Sequence, residues 1–384
     1  MEKCKLGDIC EIVSGSTPKT TIEEYWDGDV KWITPAELNE NVYIINDSVR
    51  KITKLAVEKT GLSSFPEGTV ILSTRAPIGK VAIAGCEMYC NQGFKNLICS
   101  EKIFNKYLYW FLKGNTMFLN SLGRGATFKE ISKAIVSEIE INVPEIEEQH
   151  EIVKILEKVN TIIRFRKQEL SVLDTLVKAR FVEMFGDAVD NPMGWEKKQL
   201  QEIVTDDCTI SYGIVQTGND QEEGVPVFRP VDIVNRIPKL EELKRTTEEI
   251  SNKYKRTILK GHEMLITVRA NIADTCIVGK EFKGCNVGRG IVPIRTQENI
   301  MVLEFLKYLM DSKHLNDDIK SKAKGITLIQ LNMEDLREVE LIVPPIEQQK
   351  AFVEFVEQVD KSKVINQLLQ KWNYMCHVTI EKVK

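Results

Sequence analysis

The chain carries nearly the same string twice, 200 residues apart. Val143-Pro144-Glu145-Ile146-Glu147-Glu148-Gln149 returns as Val343-Pro344-Pro345-Ile346-Glu347-Gln348-Gln349. A helix-like apolar stretch follows each copy, and a segment of roughly 145 residues precedes each, far longer than the ~20–50 residues of a solenoid repeat. The chain is therefore a duplicated domain plus a duplicated helix. Other strings keep the same order. Trp32-Ile33-Thr34-Pro35 answers Val227-Phe228-Arg229-Pro230, and Gly68 to Ala76 answers Gly261 to Ala270. Cys90-Asn91-Gln92-Gly93 answers Cys285-Asn286-Val287-Gly288, and Gly125-Ala126-Thr127 answers Gly325-Ile326-Thr327. The offset drifts only from 193 to 200.

Within each half, short β-branched runs are bounded by Gly, Pro, Asn and Asp, the signature of strands. Val70–Thr74, Lys80–Ala84, Met264–Val268 and Thr275–Val278 are the clearest. Ile103 to Leu119 and Leu303 to Leu315 carry apolar residues at helical spacing. Each half reads as a mixed α/β domain with a short-stranded sheet.

Glu147 to Phe185 is different. Ile152, Ile155, Val159 and Ile162 follow a three-four rhythm, while Leu156, Ile163, Leu170, Val177 and Met184 recur every seven residues. No Pro or Gly interrupts it before Gly186, which suits a C-terminal cap. This is a long amphipathic helix with a heptad-like seam. Glu347 to Glu381 repeats the pattern with Phe352, Val356, Val359, Leu369 and Trp372 among its apolar positions. An isolated helix with such a stripe needs a partner. The expected architecture is two similar α/β domains joined by two long antiparallel helices that form a coiled-coil spacer. The divisions fall at 1–145, 146–186, 187–345 and 346–384, with an ordinary core for both helices as the competing arrangement.

A composition of 43 % hydrophobic and 28 % charged residues is that of a globular protein. No apolar run approaches the ~20 residues of a membrane span, and Met1 to Asp8 lacks a signal-peptide core, so a cytoplasmic location is expected. Nine cysteines without a Cys-x-x-Cys pair read as reduced thiols and give no metal site. The net charge of −4 does not favour nucleic acid. A DNA-binding role then requires charges sorted by face, or a partner that supplies phosphate contacts.

Catalytic motifs are missing. Gly79-Lys80-Val81 lacks the spacing and hydroxyl of a phosphate-binding loop. Val343-Pro344-Pro345-Ile346 is apolar where an adenine-methylating loop needs an amide or carboxylate. The four histidines lie far apart. Binding chemistry is easier to find. Arg75 and Arg269 end matched strands, and arginine can grip guanine or phosphate with two prongs. Asn91-Gln92-Gly93 offers amides suited to adenine, and Asn286 to Gly290, with Arg289, stands in the second half. The loops Gly123 to Lys129 and Lys322 to Thr327 are cationic and hydroxylated. The candidate DNA contacts are Thr34, Arg75, Asn91, Gln92, Arg124, Thr127 and Lys129 in the first half. In the second they are Arg229, Arg269, Asn271, Asn286, Arg289, Lys324 and Thr327. Structural roles compete with these: turn glycines, an asparagine closing a turn, arginines in surface ion pairs.

Taken in order and with their duplication, these strings resemble the specificity subunit of type I restriction–modification systems. The resemblance spans essentially the whole chain. It rests on Trp32-Ile33-Thr34-Pro35, Ser73-Thr74-Arg75, Ile78 to Ile83, Asn91 to Lys95, Gly125-Ala126-Thr127 and the Val-Pro to Glu-Gln junctions. It implies a non-catalytic protein whose two target-recognition domains each read one half of a split, asymmetric DNA sequence. It implies helices that space the half-sites and dock two methyltransferase subunits, with motor-nuclease subunits as an optional addition. S-adenosylmethionine would bind in the partner, and no cofactor in this chain. The second half departs from the pattern, with Val287 against Gln92 and Arg229 against Thr34. Two readings compete: a fused enzyme of the same system, and a coiled-coil assembly protein whose α/β domains bind protein or sugar.

Overall fold

Each half begins with a strand that pairs with the strand leading out of it. Glu2–Lys5 runs antiparallel to Glu140–Val143, and Glu196–Gln199 runs antiparallel to Glu340–Val343. The register matches, with Glu2 opposite Val143 and Glu196 opposite Val343. This computed structural model describes residues 2–39, 42–75, 77–125, 129–233, 237–325 and 329–362. The chain divides into two units, Met1–Phe165 and Arg166–Lys384, and the division falls inside the long helix Ile146–Phe185.

In the first unit the main sheet has the order Cys10–Ser14, Phe94–Cys99, Val70–Ser73, Val81–Ala84, Ile44–Ile45. Its central strands are buried on both faces, which explains their unbroken apolar runs. Successive side chains alternate across the sheet. Val70, Leu72, Val81 and Ile83 enter one core, while Ile71, Ala82 and Ala84 enter another. The second unit repeats the centre of this sheet with Thr275–Val278, Glu263–Thr267 and Ile291–Ile294. There Met264 and Ile266 face one core and Leu265 the other. A smaller sheet also recurs. Trp26–Ile33 lies between Lys51–Ile52 and Tyr89–Cys90, and Val225–Phe228 lies between Lys244–Thr246 and Asn286–Val287. The mixed α/β class expected from the sequence is what the chain adopts.

The expected helices Ile103 to Leu119 and Leu303 to Leu315 are each two shorter helices. Asn105–Gly114 and Thr116–Leu122 are separated at Asn115, whose φ/ψ of −108°/25° is not helical. Leu303–Met310 and Lys313–Ser321 are separated at Asp311-Ser312, with Ser312 extended. Apolar periodicity carries through both breaks, because each second helix turns its own apolar side inward: Leu119, and Leu315 with Ile319, are buried.

The helix Ile146–Phe185 has 40 residues, about 60 Å at ~1.5 Å per residue. Gly186 ends it in the left-handed region at φ 74°, where glycine meets no Cβ penalty, and its N–H reaches Val182 O at 2.9 Å. Among the expected seam residues, Ile152 packs against the first unit's core, and Val177 belongs to the second unit's. Leu156, Val159, Ile163 and Leu170 are half-buried. Residues 346–362 are helical too, and Phe352, Val356 and Val359 join Val177, Phe181 and Phe185 in one core. Leu369 and Trp372 lie outside the described residues.

The duplicated glutamine explains the repeated string. Gln149 is fully buried and satisfied. It accepts from Phe104 N at 2.8 Å and donates to Lys102 O and Pro144 O, each at 2.9 Å. Gln349 does the same, accepting from Val302 N at 2.9 Å and donating to Ile300 O at 3.0 Å and Pro344 O at 2.8 Å. Each glutamine pins the start of the helix it sits in to the loop before the preceding helix pair.

Candidate nucleic-acid interface

Three loops converge in each unit. In the first, a Cβ added to Gly93 would stand 3.1 Å from Asn91 Oδ1, 3.2 Å from Pro35 Cγ and 3.7 Å from Arg75 Cβ. That places the Thr34-Pro35 turn, the arginine and the Asn91–Gly93 loop together. In the second, a Cβ on Gly290 would stand 2.4 Å from Pro230 Cγ and 3.3 Å from Arg269 Cβ. The same backbone frame holds both. Thr74 N donates to Gly93 O at 2.7 Å, and Val268 N donates to Gly290 O at 2.8 Å. Asn91 N donates to Ile33 O at 3.1 Å, and Gly288 N donates to Phe228 O at 2.8 Å.

This frame corrects the alignment of the halves. Asn91 and Gly288 are counterparts, as are Gln92 and Arg289, and Gly93 and Gly290. The match of Asn91 with Asn286 is two residues out of register. Asn286 is a strand residue opposite Val227, in the place that Tyr89 occupies opposite Trp32. It is 0 % exposed, accepts from Thr257 Oγ1 at 2.7 Å and donates to Ser251 Oγ at 3.0 Å. Its amide is spent inside the domain, so Asn286 has none to offer DNA. Arg289 and Gln92 are the exposed residues at the matched position.

The remaining candidates divide into exposed groups and turn formers. Asn91 closes a turn, accepting from Gly93 N at 2.9 Å. Thr34 caps a 3-10 turn: its N–H and hydroxyl both donate to Glu37 Oε1, at 2.7 and 3.0 Å. Arg229 holds the equivalent turn through a two-pronged pair with Asp232, Nε to Oδ2 at 3.0 Å and Nη2 to Oδ1 at 2.9 Å. That hydrogen bonding raises the guanidinium's pKa above its ordinary value despite partial burial. Arg75 keeps 45 % of its side chain exposed while donating from Nε to Glu130 Oε2 at 2.8 Å. Arg269 donates from Nε to Gln330 Oε1 at 2.6 Å. Arg124, Lys129, Asn271, Arg289 and Lys324 are exposed, with Lys324 3.7 Å from Asp335. Thr127 and Thr327 lie outside the described residues. The turn after Arg269 holds Ala270 and Ala273 at φ 62° and 64°, a conformation that L-residues with a Cβ seldom adopt and that marks a tightly specified loop.

One loop escaped sequence reading. A Cβ on Gly15 would meet Asn91 O at 2.0 Å, and one on Gly213 would meet Val287 O at 1.8 Å. Ser16 N donates to Cys90 O at 2.9 Å and Ile214 N to Val287 O at 2.8 Å, so the two loops are equivalent. Thr17 hydrogen-bonds Gln92. The only shared signal is a single glycine in Ser14-Gly15-Ser16 and Tyr212-Gly213-Ile214.

Among the described residues, no cluster of His, Cys, Asp and Glu could hold a metal ion, and no helix is long and apolar enough to cross a membrane. The described cysteines are free, and burial pushes the Cys90 and Cys276 thiols up to about 12.

Comparison with known proteins agrees with this duplicated geometry. The type I restriction modification DNA specificity domain matches twice, over residues 1–175 and 192–371. The chain belongs to this family. It is 31 % identical over 393 residues to the type I restriction enzyme MjaIX specificity subunit of Methanocaldococcus jannaschii, covering 94 % of this chain and 87 % of that one. It is 24 % identical to the EcoBI specificity subunit of Escherichia coli over 83 % of this chain and 74 % of the relative. The fold is similar to a type I restriction–modification S subunit from M. genitalium, with TM-score 0.55, 16 % identity and coverage of 98 % and 94 %. It is also similar to a chain solved in a study of complex assembly in the type I system, with TM-score 0.59, 20 % identity and coverage of 100 % and 95 %.

Proposed function

We propose that this chain is the non-catalytic subunit that gives a type I DNA methyltransferase its sequence specificity, reading a split double-stranded target with two domains. The observation that carries the reading is the three-loop cluster built twice on one backbone frame. In residues 1–145 the reading groups are Arg75, Gln92, Arg124 and Lys129. In residues 187–345 they are Arg269, Asn271, Arg289 and Lys324. Asn91, Thr34 and Arg229 shape the loops, and Thr127 and Thr327 are further contacts proposed from the matched strings Gly125-Ala126-Thr127 and Gly325-Ile326-Thr327 alone. The segments 146–186 and 346–384 act as the spacer and dock two modification subunits, which bind S-adenosylmethionine. Motor-nuclease subunits join where the system restricts DNA. The assembly works in the cytoplasm.

Alanine at Arg75 tests the reading in the chain complexed with its modification partner. A lost base contact costs about 1–3 kcal/mol at one position, while a lost phosphate contact weakens all sequences alike and makes the salt dependence shallower. Arg75→Ala should do one or the other at the first half-site and leave the second untouched. Arg269→Ala should show the converse. A change of accepted bases in the wrong half-site, or no change in binding, contradicts the reading.

The spacer role has its own test. One added helical turn is about 5.4 Å, somewhat more than one base-pair step. Insertion of four residues near Arg166-Lys167-Gln168 should lengthen the gap between half-sites and keep both recognised half-sequences. Altered half-sequences with an unchanged gap would remove the spacer role.

A further inference from the structure

We propose that Glu130 and Gln330 are positioning residues for recognition: each holds its own domain's reading arginine by Nε and presents the opposite, Nη1–Nη2 edge to DNA. This rests on the half-site reading above. Arg75 and Arg269 are both held through Nε, by acceptors at matched places. Arg75 and Arg124 both bridge antiparallel to Glu130, and Arg269 and Lys324 both bridge to Gln330. A guanidinium has five donors in a rigid planar fork. Gripped at Nε, it keeps the two-nitrogen edge that makes a bidentate contact with guanine.

The two acceptors differ in charge, and a second exchange matches the difference. Glu130 Oε1 lies 3.6 Å from Lys95 Nζ, whose side chain is 8 % exposed. Lys95 stands two residues after Gly93, and Val292 stands two after the equivalent Gly290. A buried ammonium requires an anion, whereas a buried valine does not. The acid therefore accompanies the lysine and the amide accompanies the valine. Arg75, Lys95 and Glu130 together carry one net positive charge, as do Arg269, Val292 and Gln330. The halves use two charge-balanced versions of one buttress.

Domain two gives the cleaner test, since no buried lysine depends on Gln330. The full chain in complex with its modification partner is titrated against duplexes altered in one half-site at a time, across a range of salt. Gln330→Ala should reduce discrimination at the second half-site roughly tenfold, within the range for a bidentate base contact, and leave the first half-site unchanged. Gln330→Glu should rescue discrimination, because a carboxylate also grips Nε. Its log K against log salt slope should be shallower by about one, since it adds an anion beside the phosphate path. Glu130→Ala should repeat the loss at the first half-site. Full discrimination in Gln330→Ala, or equal loss in Gln330→Glu and Gln330→Ala, overturns the proposal while the half-site reading survives. A wild-type complex that discriminates neither half-site overturns the half-site reading, and the proposal with it.

Discussion

Leucine in place of Gln349 should destabilise the second domain by about 3 kcal/mol. The leucine keeps the bulk but strands the Val302 N–H and removes a donor from two carbonyls, Ile300 O and Pro344 O. Each buried polar group left without a partner costs about 1–3 kcal/mol. Gln149→Leu should do the same to the first domain, through Phe104 N, Lys102 O and Pro144 O. The neighbouring Gln348 and Glu148 are exposed, so the same substitution there should be nearly neutral. Thermal unfolding of the four variants separates the cases. A neutral Gln349→Leu would mean that the duplicated glutamine is not what ties helix to domain.

Phe185→Ala should cost about as much or more. Phe185 is fully buried, with ring centroids 4.8 Å from Phe305, 5.3 Å from Phe181 and 5.6 Å from Phe352. Removing a core phenylalanine typically costs about 3–5 kcal/mol, through lost transfer energy and the cavity left behind. In a unit of this size the melting temperature should fall on the order of 10 °C. The nearby Val182 is 60 % exposed on the same helix, and Val182→Ala should shift it little. A Phe185→Ala chain that melts like wild type would show that the helix end is not part of the second domain's core.

Much of this was legible because local chemistry and tertiary role coincide. Pro144 and Gly186 flank a helix that begins at Ile146 and ends at Phe185, close to where they suggest. Thr275–Val278 is a strand over the residues its β-branched run marks. The misreading of Asn286 has a definite cause. Cys-Asn-x-Gly recurs by letters, but strand pairing puts Asn286 opposite Val227, where its amide is sealed in by Ser251 and Thr257. Letter similarity carries no information about which face a strand residue takes. The break at Asn115 was hidden because the apolar rhythm continues beyond it. The buttress at Glu130 was invisible for another reason. Its arginine is 55 residues away in sequence, and only folding brings them together.

If two copies of one domain read two halves of one DNA target, the pattern of methylation in cells must show it. The most direct test is to map methylated adenines in cells expressing this chain with its modification partner, beside cells in which residues 187–345 are exchanged for the matching domain of a relative. Methylation should fall within one split motif of constant gap. The exchange should rewrite one half of that motif and preserve the other half and the gap. Methylation at an unbroken motif, or an exchange that rewrites both halves, would contradict the two-domain reading.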